Sequence, residues 1–549
     1  MRIWVLALVA ACSVGAPGPG LDPDRELAHI AALTALGPRP AGSAAGRGAV
    51  AYLEQQLAGI PLETTPVGDV ELPAIEVLGT TVRDARRVHV DDPDVVARFG
   101  PAGKAVLFMA HYDTMPESPG AVDDGASVAV LLELARELHA HPPAQPIMIA
   151  FTADEEHGLV GAIALAERHG DEIEIAIALD LIGASGRLSL NGAGKHIGLA
   201  EMRWLAGAGD RAGVEISAPL PHRVVSRWWP QAERADHGAF TRRGIRAFHL
   251  YNRGQDGFWI DGAYHSSRDV LARVDRDALA DIGRVLRALV ATPPPPHDGD
   301  GFWLPVAVNT VVPRAALIAV DAVLALIALL GLAALALGGR AAERTRGAGV
   351  LAAIACFSIA AVATTAIDHR PIHLDPAHLD ATPVLRATLA SALVLAGLCG
   401  LATRLVARRF PWIGAHRYLA LAIAPLFALG LALLALGAGE LAWIWLVPAA
   451  ALAVAPRLPR LVAPLALALC LLPPVLVLRP NQILEAVFHQ FWPTGVPMVV
   501  WVAVLAGPAV AGVAWWHRSR TAHGPLGTLV LPVGCGLSVA AGLGLRFLT

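Results

Sequence analysis

The chain has 549 residues, of which 55% are hydrophobic and 16% charged, with a formal net charge of −3 and a mean hydropathy of +0.53. This length exceeds that of one ordinary domain, and the hydropathy is high for a wholly soluble protein. The near-neutral charge and the lack of a basic stripe with interleaved aromatic residues argue against nucleic acid as a partner.

The N-terminal residues MRIWVLALVAAC predict an export signal. One arginine precedes an apolar run of about nine residues, which is too short to span a bilayer but typical of a secretory signal. The residues VAAC also fit a bacterial lipobox, which would place a lipid on Cys12. An ordinary cleaved signal and an uncleaved short anchor are the alternatives. We assign residues 1–20 to this segment and expect the following domain to leave the cytoplasm in each case.

Residues 24–292 are predicted to form an α/β domain. Two helical patterns, DRELAHIAALTAL and AAGRGAVAYLEQQL, flank the turn GPRPAGS, and the β-rich runs VELPAIEVLGTTV and RRVHVDD follow. Four apolar strands then alternate with helical patterns: KAVLFMAHYD, QPIMIAFTADEEHG, EIEIAIALDLIGASG and IRAFHLYN. The segment RDALADIGRVLRALVAT closes the domain as a helix. This alternation predicts a mostly parallel, mixed sheet with helices on both faces, and ligands bind such sheets at the carboxyl ends of the strands.

The remaining sequence predicts a stiff Pro-rich linker over residues 293–304 and an all-α transmembrane domain over residues 305–549. Eight apolar stretches have about the length that a bilayer requires. They are residues 315–338, 348–367, 384–403, 418–436, 441–456, 461–478, 495–516 and 525–545. Arginines cluster after the first, third, fifth and seventh stretches, so the positive-inside rule places the α/β domain outside the cytoplasm.

Five polar residues are expected to meet at the strand ends of the α/β domain: His111, Asp123, Glu156, Asp180 and His265. Taken singly, each is an ordinary loop or core residue. Together, two imidazoles and three carboxylates make a mixed nitrogen and oxygen ligand set that suits zinc. One zinc ion needs only three protein ligands, so five ligands suggest two ions that share a carboxylate, an arrangement used for hydrolysis.

The motifs HYD, DDGAS, TADEEHGLVGA, LDLIGASG and GAYHSSRDVLARVD resemble, in their order and spacing, peptidase family M28, a family of zinc aminopeptidases. The likeness covers residues 24–292 and includes GPRPAGS. It implies that Asp123 bridges two zinc ions, with His111 and Asp180 completing one site and Glu156 and His265 the other. Co²⁺ and Mn²⁺ are alternative ions.

The resemblance also implies roles for residues around the metals. Glu155 is expected to be the general base, which takes a proton from the attacking water and passes it to the leaving amine. Tyr264 would stabilise the tetrahedral oxyanion. Asp113 would orient the first imidazole through its other ring nitrogen, and Asp124 would brace the backbone of the bridging residue. The expected activity is the removal of N-terminal residues from peptide substrates.

A glutaminyl cyclase on the same fold is the closest alternative. The segments DLIGA at 180–184 and DHGAFTRRGIRAFHL at 236–250 look like that branch. Four residues are candidates for a small substrate pocket: Trp228, Trp229, Asp236 and His237. Against the cyclase, those enzymes usually have Trp where this chain has Tyr264, and EEHGLVGA is typical of aminopeptidases.

A second alternative is a catalytically inactive receptor or scaffold, or a domain associated with a transporter. All five ligand positions and the expected base are present, which disfavours an inactive domain. Transport paths usually carry clusters of ionisable residues within the membrane, and the apolar stretches lack them. Asp321 lies within the first stretch and would mark such a path; a position near the outer interface, or a neighbouring partner, is the simpler interpretation.

The whole layout resembles the multi-span M28 proteases of vacuoles and the endoplasmic reticulum. It departs from them at Asp180, where those proteins often carry Glu. The basic residues are mostly Arg, the chain is rich in Ala, and the lipobox is bacterial in type. These features predict a bacterial inner-membrane protein that is embedded in the lipid bilayer, with its peptidase domain on the periplasmic or extracellular side.

Overall fold

The structure is a computed structural model that describes residues 21–77, 80–192, 196–216, 233, 235–252, 263–297, 303–307, 310–337, 415–435 and 439–454. Several predicted features lie outside the described residues. These are the export signal with Cys12, the pocket candidates Trp228 and Trp229, and the apolar stretches at 348–367, 384–403, 461–478, 495–516 and 525–545.

A seven-stranded mixed sheet forms the centre of the described N-terminal part, with the strand order β1-β4-β6-β5-β7-β9-β8. Its strands are β1 (Leu62–Leu72), β4 (Arg86–Phe99), β5 (Ala105–His111), β6 (Ile147–Thr152), β7 (Ile173–Leu179), β8 (Leu188–Gly192) and β9 (Ala247–Asn252). A small hairpin, β2 (Ile75–Val77) and β3 (Thr80–Arg83), lies between β1 and β4 in the chain. The mixed α/β sheet predicted from the sequence is confirmed.

The four predicted apolar strands are β5, β6, β7 and β9, and they pair in parallel at the centre of the sheet. The outer strands β1, β4 and β8 pair antiparallel; the sequence predicted a mixed sheet but not which strands would be antiparallel. The chain between β1 and β4 forms the hairpin of β2 and β3, whereas a parallel pair would need a crossover connection, usually a helix.

Helices cover both faces of the sheet. They are α1 (Pro23–Thr34), α2 (Ala44–Gln56), α3 (Ala126–Ala140), α4 (Val160–His169), α5 (Leu199–Ala212), α6 (His237–Arg242) and α7 (Arg276–Val290). In β5, Val106 and Phe108 pack into the core shared with α1, α3 and α7, whereas Leu107 and Met109 pack into the core shared with α4 and α6. Because successive side chains point to opposite faces and both faces are covered, the central strands read as unbroken apolar runs.

Local capping explains where three of these helices begin. Asp22, Ser43 and Asp275 precede α1, α2 and α7, and each side chain accepts a hydrogen bond from a main-chain N–H of the first turn. Such caps satisfy donors that have no partner within the helix. The sequence did not predict β8, α5 or α6. Two glycines in α5 lower its helix propensity, and α6 has only six residues.

The start of the predicted linker is attached to the α/β domain. Nη1 of Arg246 donates a hydrogen bond to the main-chain oxygen of Pro295 at 2.8 Å, and Nδ1 of His297 lies 2.9 Å from Oε1 of Glu201. An unpredicted hairpin follows, formed by β10 (Trp303–Ala307) and β11 (Thr310–Pro313). The first residues of the Pro-rich segment therefore contact the α/β domain, and its last residues belong to strand β10.

Three apolar helices are described beyond the hairpin: α8 (Arg314–Leu337), α9 (Ala415–Ala435) and α10 (Gly439–Val454). Among the described residues, only the stretch Ala315–Ala333 in α8 is long and apolar enough to cross a membrane; Leu426–Ala435 and Trp445–Val454 are shorter apolar stretches. The three helices pack against one another. The transmembrane domain of about eight helices stays a prediction.

Candidate metal site

The expected ligands lie at one edge of the sheet because parallel neighbouring strands end there. His111 is the last residue of β5, Asp180 directly follows β7, and Glu156 lies in the loop after β6. Asp123 belongs to the short helical segment Ala121–Gly125 that leads into α3, and His265 lies in a turn that follows β9. The peptide bond between Asp123 and Asp124 is cis.

The five side chains form two groups that share Asp123. In the first group, Nε2 of His111 lies 3.4 Å from Oδ1 of Asp123 and 3.9 Å from Oδ1 of Asp180. In the second, Nε2 of His265 lies 3.4 Å from Oδ2 of Asp123 and 3.0 Å from Oε2 of Glu156. Within each group the possible ligand atoms are all within 4.8 Å of one another. The two oxygens of Asp123 therefore face different groups.

The chemistry of these groups fits divalent cations. Two ligand atoms are buried without a hydrogen-bond partner among the described residues: Oδ2 of Asp123 and Oδ1 of Asp180. Burial, together with the charge of Asp123, raises the pKa of Asp180 to about 8. Several buried carboxylates are costly to ionise next to one another, and a cation between them removes that cost. The ligand atoms and the charge of the site fit a cation of the zinc type.

Glu155 and Glu156 are consecutive but have different surroundings. Oε2 of Glu156 contacts His265, and its Oε1 accepts a hydrogen bond from the main-chain N–H of Met115 at 3.2 Å. The pKa of Glu155 is raised well above its usual range, first by burial and then by the adjacent Glu156, although His111 opposes this rise. Glu156 therefore belongs to a ligand group, and Glu155 is a separate, half-buried carboxyl beside it.

Asp113 contacts both the imidazole and the loop of the glutamates. Nδ1 of His111 hydrogen-bonds to the main-chain oxygen of Asp113 at 3.1 Å and lies 3.5 Å from its Oδ1. The carboxylate accepts the main-chain N–H groups of Glu155 and Glu156 at 3.0 and 3.2 Å. The imidazole is thus oriented mainly by a main-chain carbonyl, and the carboxylate joins the ends of β5 and β6.

The bracing contacts expected of Asp124 belong to Asp269 instead. Among the described residues, the buried carboxylate of Asp124 accepts no main-chain N–H. Asp269 accepts the main-chain N–H groups of Val122 and Asp123 through its two carboxylate oxygens, at 2.9 and 3.0 Å. The backbone of the shared residue is therefore held from a distant part of the chain.

Tyr264 lies directly against the second imidazole. Its ring stacks on that of His265, with 3.6 Å between the ring centroids and 24° between the planes. The tyrosine is half-buried and also packs on a small apolar cluster that includes Val122 and Leu181. It is at the edge of the metal site, and its expected part in catalysis stays a prediction.

The two described pocket candidates, Asp236 and His237, are buried among polar residues. Oδ2 of Asp236 accepts a hydrogen bond from Oγ1 of Thr152 at 2.5 Å. The ring of His237 lies 5.4 Å from that of His249, and Nε2 of His249 lies 3.8 Å from Oδ2 of Asp180. Their described neighbours form a polar layer that reaches Asp180, and their place in a substrate pocket stays a prediction.

Sequence reasoning assigned no role to three residues that the structure brings to the site: Arg39, His249 and Asp269. Arg39 lies within the quoted motif GPRPAGS, and Asp269 follows His265 by four residues in GAYHSSRD. His249 is a single histidine within the apolar strand IRAFHLYN. In each case the sequence shows a charged or titratable residue inside a turn or an apolar run. Such a residue indicates that a polar partner is needed, but the sequence does not indicate which residue that partner is.

A mixed α/β sheet with two groups of acids and imidazoles at one edge is an arrangement that is found in metal-dependent hydrolases. Residues 94–290 match the family model "Peptidase family M28". Residues 94–290 are therefore assigned to a peptidase M28 domain.

Two curated relatives show the range of similar proteins. The chain is 27% identical over 197 residues to aminopeptidase YwaD of Bacillus subtilis (strain 168), which covers 34% of this chain and 40% of that protein. It is 28% identical over 184 residues to the vacuolar membrane protease of Yarrowia lipolytica (strain CLIB 122 / E 150), covering 32% of this chain and 17% of the relative. The match thus spans less than half the length of either relative.

Two solved structures are similar at a lower level. A zinc aminopeptidase from Bacillus subtilis, BSAP, has 15% sequence identity and a TM-score of 0.40, covering 50% of this chain and 95% of the other. A glutaminyl cyclase from Bacteroides thetaiotaomicron, bound to N-acetylhistamine, has 18% identity and a TM-score of 0.41, covering 50% and 99% of the two chains.

Proposed function

We propose that the protein is a membrane-bound, extracytoplasmic aminopeptidase that uses two zinc ions to hydrolyse the N-terminal peptide bond of its substrates. The observation that supports this most directly is the position of Asp123. Its two oxygens face two different imidazoles, each at 3.4 Å, as a carboxylate shared by two cations requires.

Some of these side chains would bind the metal ions, and others would take part in proton transfer or bind the oxyanion. His111, Asp123 and Asp180 would hold one ion, and Asp123, Glu156 and His265 the other. Zinc ions bound there would lower the pKa of water and polarise the carbonyl of the substrate. Co²⁺ or Mn²⁺ would serve the same purpose.

Glu155 is the proposed general base. It is next to the ligand residue Glu156 but is not itself in either ligand group, and its main-chain N–H donates a hydrogen bond to the carboxylate of Asp113. Its carboxylate would take a proton from the attacking water and deliver that proton to the nitrogen of the leaving amine. Tyr264, stacked on His265, would donate a hydrogen bond to the developing oxyanion.

The proposed membrane location depends on three observations. The helical stretch Ala315–Ala333 is long and apolar enough to span a bilayer. In the sequence of the apolar C-terminal half, arginines cluster after every second apolar stretch. One relative is named a vacuolar membrane protease. We propose the inner membrane of a bacterium, with the peptidase domain on the periplasmic side.

A glutaminyl cyclase is the second candidate. The segment that begins with Asp236 resembles the cyclase branch, and Asp236 is hydrogen-bonded to Thr152, the last residue of the strand before Glu155 and Glu156. The tyrosine at position 264 favours the peptidase, because cyclases usually have Trp there.

The full-length protein in detergent can distinguish these functions. We expect release of nitroaniline from leucine p-nitroanilide, loss of activity after chelation, and recovery with Zn²⁺. Cyclisation of an N-terminal glutaminyl peptide without nitroanilide cleavage would instead identify a cyclase. If neither substrate reacts while two metal ions are bound per chain, the inactive receptor or scaffold becomes the better description.

A further inference from the structure

The segment that precedes Asp123 is held by a buried arginine. The side chain of Arg39 is almost fully buried, with 1% of its surface exposed. It donates hydrogen bonds to the main-chain oxygens of Leu33 and Tyr112 at 3.2 and 2.9 Å, and of Pro119 and Gly120 at 2.8 and 3.1 Å. The planar guanidinium therefore joins the end of α1, the end of β5 and the loop before Asp123.

The loop itself has little room to move. Gly120 has a φ of +64°, and a Cβ at this position would overlap the methyl group of Thr114 and lie 2.6 Å from the main-chain oxygen of Asp123. Oγ1 of Thr114 in turn accepts the main-chain N–H of Arg39 at 2.8 Å. The left-handed conformation and the close packing both require glycine here.

Asp269 holds the same segment through its N–H groups. Its main-chain oxygen accepts the N–H of Ala121 at 3.3 Å, and its carboxylate accepts those of Val122 and Asp123. Arg39 thus binds carbonyl groups of residues 119 and 120, whereas Asp269 binds amide groups of residues 121–123. Two opposite charges hold consecutive parts of one loop.

We propose that Arg39 and Asp269 act together as positioning residues that place the Asp123 carboxylate between the two cations. This inference rests on the proposed dinuclear metal site. Neither side chain is a ligand in the groups described above; each acts through the backbone of residues 119–123. Loss of either contact would let the shared carboxylate move, so the binding of both ions should weaken rather than that of one.

The variants for the test are Asp269→Asn and Arg39→Lys in the full-length protein. Asparagine keeps one acceptor oxygen but faces one main-chain N–H with another donor. Lysine keeps the charge but loses the planar fork that reaches four carbonyl groups. Partners of this kind typically change metal affinity by about 10–100-fold.

The matched control is Glu201→Gln. Glu201 is also fully buried, accepts a main-chain N–H from Gly198, and pairs with Arg246. This variant should lower the thermal stability without altering metal affinity, which separates a general loss of stability from a displaced ligand.

The measurements are Zn²⁺ affinity by competition with a chelator, the absorption spectrum of the Co²⁺-loaded protein, and the melting temperature. We expect both metal affinities to fall by about 10–100-fold in each variant, with a changed Co²⁺ spectrum. The double variant should lose less than the product of the single effects, because both residues act on one segment.

Three results would contradict these expectations in different ways. Unchanged affinities in folded Asp269→Asn, or in folded Arg39→Lys if the first variant does not fold, would overturn the positioning inference while leaving the enzyme proposal intact. Fully multiplicative effects in the double variant would show that the two residues act separately. A wild-type protein that binds no Zn²⁺ would instead refute the proposed function.

Discussion

The carboxylate of Asp113 accepts a hydrogen bond from the main-chain N–H of Glu155 at 3.0 Å. This contact joins Asp113, which lies two residues after His111, to Glu155, the proposed general base. The ends of two neighbouring strands are thereby fixed relative to each other, which a proton acceptor near a metal pair requires. A small error in such geometry is costly for catalysis.

Replacement of Glu155 by Gln should abolish most of the peptidase activity. We expect kcat to fall by about 10²–10⁴-fold, the usual contribution of a general base, whereas the bound metal stays at the wild-type level. Steady-state kinetics and metal analysis of the same preparation check this result. Glu54→Gln, at an exposed position of α2, is the control. A Glu155→Gln variant with wild-type kcat would refute the assignment of the base.

Asp123→Asn should affect both metal groups, whereas Asp180→Asn should affect one. The reason is that both oxygens of Asp123 face an imidazole, while Asp180 belongs only to the group of His111. Equilibrium dialysis with Zn²⁺ should show weakened binding of two ions in the first variant and of one ion in the second. Retention of both ions by Asp123→Asn would rule out a shared ligand.

Tyr264→Phe should lower kcat more than it changes KM. Phenylalanine preserves the ring that stacks on His265 but removes the hydroxyl proposed to bind the oxyanion. Loss of one such donor typically costs about 10²–10³-fold in kcat. Kinetics with leucine p-nitroanilide measure the change, and unaltered zinc binding shows that the imidazole is still in place. An increase in KM alone would assign Tyr264 to substrate binding.

Glu26→Gln should stabilise the protein, and more so as the pH rises. Glu26 is buried in α1, and its carboxylate oxygens have no hydrogen-bond partner among the described residues. Burial, followed by the charges of Glu133 and Asp22, raises its pKa from 4.5 to about 8. At pH values between 4.5 and about 8, Glu26 stays protonated in the folded state but is ionised in the unfolded state. The free energy of unfolding of the wild type therefore falls as the pH rises through this range.

The gain from Glu26→Gln should be near zero at pH 4.5 and on the order of 4 kcal/mol at pH 8. Thermal unfolding of the variant and the wild type at both pH values measures the difference, in which the contributions of other groups cancel. The exposed Glu54→Gln should show no such trend. An equal effect at the two pH values would show that Glu26 is not protonated in the folded protein.

Gly331→Leu should disrupt the packing of the apolar helices. A Cβ at Gly331 of α8 would overlap the Cβ of Ala453 in α10, so the two backbones approach closely at this point. Small residues allow such contacts between apolar helices, and overpacking typically costs about 1–3 kcal/mol. Melting temperatures in detergent should fall for Gly331→Leu. Ala333→Leu, at an exposed position of the same helix, should have little effect, and equal losses in both variants would contradict this contact.

The amino-acid sequence determined the central part of the fold and the residue types of the site. Four apolar runs, each followed by polar residues, predicted the parallel strands β5, β6, β7 and β9, because a strand that is covered on both faces needs apolar side chains at every position. The polar residues that follow these runs supplied the candidate ligands. Both signals are local along the chain.

Tertiary structure decided which distant groups meet. Asp269 lies 146 residues from Asp123 and Arg39 lies 81 residues from Gly120, yet they hold the two sides of one loop. The antiparallel outer strands and the close contact between α8 and α10 also depend on contacts between separate segments. No local pattern specifies such pairs, because a buried charge or a small residue shows that a partner is needed without showing which one packing will supply.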